Sequence, residues 1–112
     1  MNVSKADWKL FRERLPEWQE RYMERLMKEY VEFLQSDAPA SEKFWALEKK
    51  IKKDKNTPGV QLRIEKQGTE YNLMKLVLGD VITYDDLDGF SDDMIATVKR
   101  LVKAFGDDNL EE

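Results

Sequence analysis
The sequence predicts an all-α fold, a compact bundle of five to six helices around one long central helix. Three observations lead there. Apolar residues recur at helical spacing along two segments, Trp18 to Leu34 and Met94 to Phe105. Helix-opening residues (Ser4, Ser41, Thr83 and Ser91) stand just ahead of such runs. Proline and glycine fall between the runs, where they punctuate helices.

Ser4, with Asp7 three residues on, has the form of a capping box, and Trp8, Phe11 and Leu15 follow at helical spacing. Pro16 lacks an N–H, and its ring clashes with the preceding turn. The expected result is a short helix from Lys5 to about Arg14 and a long one from Pro16 to about Gln35. On the long helix Trp18, Tyr22, Leu26, Tyr30 and Phe33 form one stripe. Met23, Met27, Val31 and Leu34 widen it to roughly twice the ~100° arc that a surface helix needs. Other helices wrap this one on two sides, or part of the arc is left for a partner.

Residues 35 to 41, Gln-Ser-Asp-Ala-Pro-Ala-Ser, have the chemistry of a linker. Ser41 is the expected N-cap of a third helix running to about Lys55, with Phe44, Leu47 and Ile51 on its buried face and Pro58-Gly59 closing it. The segment from Pro58 or Val60 to Leu78 reads as a helix kinked near Gly68. The alternative is an α+β arrangement with a small hairpin at 60–76, because Val60, Leu62 and Ile64 alternate. Thr83 and Asp86 open a single helical turn holding Tyr84 and Leu87. Ser91 caps the last helix, whose Met94, Ile95, Val98, Leu101, Val102 and Phe105 lie within a narrow arc. Gly106 is expected to end it, giving one helical domain over 1–105 and an acidic flexible tail over 106–112. The expected core centres on Tyr22, Leu26, Phe33, Leu73, Val77, Val98, Leu101 and Phe105.

A chain of 112 residues is long enough to bury such a core. It has neither histidine nor cysteine, and so lacks the commonest general base, the thiol nucleophile and the best transition-metal ligands. No phosphate-cradling glycine loop or serine-nucleophile motif is present. The run Asp85-Asp86-Leu87-Asp88-Gly89 fails as a calcium loop: with Gly89 at the turn, Tyr84 takes the first ligand position and Ile95 the twelfth. We therefore expect no catalytic residues, no cofactor and no metal. No stretch approaches the ~20 apolar residues of a membrane span. The N-terminus shows no apolar leader, and the expected location is the cytoplasm.

Charge is unevenly placed. Met1 to Pro58 carries 13 Lys/Arg against 11 Asp/Glu, and Gly59 to Glu112 carries 6 against 12. The overall charge of −4 disfavours a general nucleic-acid binder. Within the basic half, Trp45 falls beside Lys49 and Lys52 on a helix, with Lys50 and Lys53 nearby. That is the composition of a polyanion-contacting patch, and equally of a tryptophan packed under neighbouring helices and covered by lysine stems. A second candidate is the extra apolar sector Met23, Met27 and Val31. It is ordinary core, a groove for a partner helix, or a homodimer seam.

The strings DWKLFRERLPEWQERYMERL, ASEKFWALEKKIKKD and ITYDDLDGFSDDM resemble a group of small, uncharacterised, all-helical proteins of Gram-positive gut bacteria that are often found with mobile elements. The resemblance implies an accessory or regulatory binder and supplies no catalytic residues. The expected function is thus a non-enzymatic protein-interaction or regulatory module. The alternative is a nucleic-acid-associated accessory protein using the Trp45/lysine face.

Overall fold
Most of the apolar stripes become helices that pack on one another, and the core forms where they meet. The computed structural model describes residues 1–110, with side chains through Gly106. It is all-α: α1 (Lys5–Leu34), α2 (Ala40–Asp54), α3 (Pro58–Gln61), α4 (Thr69–Leu78), a 3-10 turn (Tyr84–Leu87) and α5 (Asp92–Leu110). There is no strand among the described residues, so the hairpin alternative at 60–76 is excluded. No helix among them is long and apolar enough to cross a membrane.

The expected break at Pro16 does not occur; α1 runs through it as one helix of 30 residues. Phe11, Leu15, Trp18 and Tyr22 are all buried on one side, spanning the proline, while Pro16 itself lies exposed on the other. An interior proline costs roughly 3 kcal/mol, and burying each large apolar side chain returns about 1.5–3 kcal/mol, so packing wins. The carbonyl left without a donor belongs to Arg12, which faces solvent.

The 58–78 segment is helical at both ends but is not one kinked helix. After the single turn of α3 the chain runs extended from Leu62, held by Gln19 Nε2 donating to the Leu62 carbonyl at 2.8 Å. Gly68 then adopts φ +78°, a left-handed conformation that glycine takes without strain, and α4 starts at Thr69. Thr69 Oγ1 donates back to the Lys66 carbonyl at 2.7 Å.

Three local signals hold as expected. Ser4 Oγ accepts from Asp7 N–H at 3.1 Å, Thr83 and Asp86 form a reciprocal capping box, and Ser91 Oγ accepts from Met94 N–H at 3.2 Å. The N-cap of α2 is Pro39 rather than Ser41, which lies inside the first turn. Gly106 does not end α5, which continues to Leu110; a Cβ at Gly106 would lie 3.2 Å from Leu78 Cδ2 of α4. Of the expected tail at 106–112, residues 111 and 112 lie outside the described residues.

The core sits against the N-terminal half of α1. Phe11, Leu15, Leu73, Leu76, Leu87, Met94 and Val98 are fully buried. Tyr22, Leu26, Leu73 and Val98 are in the core as expected, Phe33, Val77 and Leu101 are half-buried, and Phe105 is exposed. Asp7 ties the two ends of the chain together: buried at the start of α1, its carboxylate accepts from Ser91 N–H (2.8 Å) and Ser91 Oγ (2.6 Å). Arginines of α1 staple the segment between α4 and α5. Arg14 donates to the Asp86 carbonyl (3.0 Å), Arg21 pairs with the Asp86 carboxylate (3.0 Å), and Arg25 donates to the Asp80 carbonyl (2.6 Å). The last turns of α1 pack on α2, as Tyr30, Phe33 and Leu34 meet Asp54, Lys50 and Lys43, and the molecule extends to 52 × 34 × 22 Å. Its radius of gyration of 16.6 Å exceeds the ~13 Å usual for this length.

Candidate interaction surface
The projecting end is a helical hairpin made by α1 and α2. The two helices are antiparallel: Lys43 Nζ donates to the Leu34 carbonyl (2.8 Å), the Lys50 ammonium sits 5.0 Å from the Phe33 ring centre, and Tyr30 hydroxyl donates to the Asp54 carboxylate. Lys43 thereby satisfies a carbonyl at the C-terminus of α1. Burial raises the Tyr30 hydroxyl from its ordinary 10.0 to about 12, and the hydrogen bond to Asp54 and that carboxylate's charge add to the shift.

No residue of α2 is fully buried. Of the three positions expected to face inward, only Leu47 packs toward the core; Phe44 and Ile51 are exposed at 64% and 44%. The sequence pattern places them on one helix face, but α2 has a neighbour on one side only. On α1, Met27, Val31 and Leu34 are likewise about half exposed, and Met23 is half-buried. Thus the wide apolar arc of α1 is covered along Tyr22, Leu26 and Tyr30 and open along Met27 and Val31.

These two open stripes lie on the same side of the hairpin. Viewed from N- to C-terminus at about 100° per residue, Met27 and Leu34 stand about a quarter-turn clockwise from the Tyr30/Phe33 line that faces α2. Phe44 and Ile51 stand a similar quarter-turn clockwise from the Leu47/Lys50/Asp54 line that faces α1. In an antiparallel pair, equal offsets of the same sense fall on one side, so the five side chains form a single face.

The Trp45/lysine patch is brought together in part. Trp45 is 63% exposed, so lysine stems do not cover it. Lys49 and Lys52, four and seven residues on, share its side of α2. Lys52 pairs with Glu48 at 3.8 Å, and Lys50 turns away to the Phe33 ring. Lys53 is exposed on the far flank. Trp45 meets Phe44 edge to face, with ring centres 5.0 Å apart and planes at 86°.

Elsewhere, a shallow cleft of about 410 Å³ gathers Asp85, Asp86 and Asp88 with Glu17. Arg14 and Arg21 line the same cleft and hold its acidic side. Burial works to raise the Asp86 carboxyl, but the Thr83 backbone N–H and Arg21 outweigh it, leaving the group below its usual range. This is the behaviour of an ion-paired helix cap. Among the described residues no group of three or more acidic side chains is disposed to hold a metal ion. No family model matches the chain, and comparison with curated proteins and with solved structures finds no match.

Proposed function
We propose that the protein is a non-enzymatic interaction module of the cytoplasm, and that it binds a protein partner through the apolar face of the α1–α2 hairpin. The observation that supports this is the contiguous exposure of Met27, Val31, Leu34, Phe44 and Ile51 on an end that the core does not use. Scattered apolar side chains are normal on a surface, whereas a contiguous patch rimmed by charge is characteristic of an interface. Methionine and aromatic side chains suit it, being adaptable and large. Affinity recovery from host lysate tests the reading. The parent should retain a protein partner after nuclease treatment, and Phe44→Glu should lose it while remaining helical. Equal recovery by both chains would reject the face.

The exposure of Trp45 beside Lys49 and Lys52 favours one second reading, contact with a nucleic-acid backbone. Retention on a phosphate matrix at low salt, lost when Lys49 and Lys52 are both changed to Glu, is its expected signature. The edge-to-face Phe44–Trp45 pair counts against it, because two perpendicular rings cannot both stack on successive parallel bases.

A further inference from the structure
We infer that the occupant of the hairpin face is a second copy of this chain, packed so that two α1–α2 hairpins close into a four-helix bundle. This rests on the reading that the face binds protein, and adds which protein and in what arrangement.

The area fits. Five side chains exposed at 42–64% offer roughly 450 Å² of apolar surface per copy, if a whole large side chain presents ~150–200 Å². A stable interface buries ~800 Å² per partner, of which somewhat over half is apolar. The apolar face thus supplies the expected share, and the charged flanks supply the remainder. The shape fits as well. Two antiparallel helices with a shared apolar side form half of a four-helix bundle, and Met27 and Leu34 on α1, like Phe44 and Ile51 on α2, stand seven residues apart, the spacing such a seam uses.

Two hairpins can meet face to face about a two-fold axis that lies either across the helices, placing α1 on α1 and α2 on α2, or along them, placing α1 of each copy on α2 of the other, and both bring the same five side chains together.

Light scattering on the eluting full chain, with sedimentation equilibrium over a concentration series, tests the proposal. The parent should show twice the single-chain mass, dissociating on dilution. Phe44→Glu and Val31→Lys should each give the single-chain mass with the helical circular-dichroism signal intact. A parent of single-chain mass at its highest soluble concentration overturns the proposal. So does a dimer that persists in both Phe44→Glu and Val31→Lys. A chain that stays single yet binds anionic lipid vesicles or single-stranded DNA in a Phe44-dependent way identifies another occupant and equally overturns it. If the chain is single but Phe44→Glu still loses a lysate protein, self-association falls and the interaction-module reading stands.

Discussion

The joint that sets the hairpin on the core is the contact between Gly59 and Tyr22, and Gly59→Ala tests it. Gly59 is buried in α3, and a Cβ there would lie 2.3 Å from Tyr22 Cδ2 and 2.6 Å from Cγ and Cε2. Carbon atoms pack at about 3.5–4.0 Å, so the ring or the turn must shift by more than ~1 Å. The ring has little room, because Tyr22 is itself in the core and the Arg25 guanidinium lies 5.0 Å from its centre. Gly59 is not among the positive-φ residues, so alanine meets no backbone strain there and the effect is steric. Overpacking costs about 1–3 kcal/mol, and replacing a helical glycine by alanine returns up to ~1 kcal/mol. The expected net loss is about 1–2 kcal/mol, a fall in Tm of roughly 4–8 °C in a domain of this size. Thermal and urea unfolding followed by far-ultraviolet circular dichroism measure it. In a Tyr22→Leu background, which removes the ring, the penalty should shrink by at least ~0.5 kcal/mol. A Gly59→Ala chain as stable as the parent, or an equal penalty in both backgrounds, refutes the reasoning.

Four further outcomes are expected. Asp7→Ala leaves the Ser91 N–H and hydroxyl without their acceptor and should cost about 1–3 kcal/mol in urea unfolding, more than Ser4→Ala. Tyr30 contributes stability that is fully present below pH 10.0, its unfolded value, and is lost as pH rises through about 12. Tyr30→Phe should therefore flatten the alkaline limb of the stability profile. Asp86 works in the opposite sense: its contribution is present above the ordinary carboxylate range and is lost as pH falls through its lowered value, so Asp86→Asn should flatten the acid limb of a urea-midpoint series. Phe44→Ser should change the stability of the isolated chain by less than ~0.5 kcal/mol, whereas Phe11→Ala should cost about 3–5 kcal/mol.

What the sequence made legible was local. The caps at Ser4, Thr83/Asp86 and Ser91 form because donor and acceptor are three residues apart, and periodicity alone marked α5 and the stripe on α1. What it hid depended on partners far along the chain. Pro16 stays helical because Phe11 to Tyr22 find cover from α4, α5 and the loops between them. Asp7 has the spacing of a capping partner, yet its carboxylate serves Ser91, 84 residues away. At the candidate face, the excess apolar arc of α1 was visible as a width no single neighbour can fill, which pointed to Met27 and Val31. Phe44 and Ile51 carried the opposite expectation. Their spacing with Leu47 is that of a buried stripe, and spacing does not record how many neighbours a helix has. Trp45 illustrates the same limit: its lysine neighbours suit either a covered or an open ring, and only the placement of α2 at the edge of the fold decides that it is open.

Site-specific photo-crosslinking in the source cells tests most directly whether this hairpin face is where the protein meets its partner. A photoreactive side chain at position 44 should yield discrete protein adducts, whereas the same group at the exposed position 13, on the N-terminal half of α1, should yield none. Absence of adducts at position 44, or equal adducts at both positions, would contradict the account.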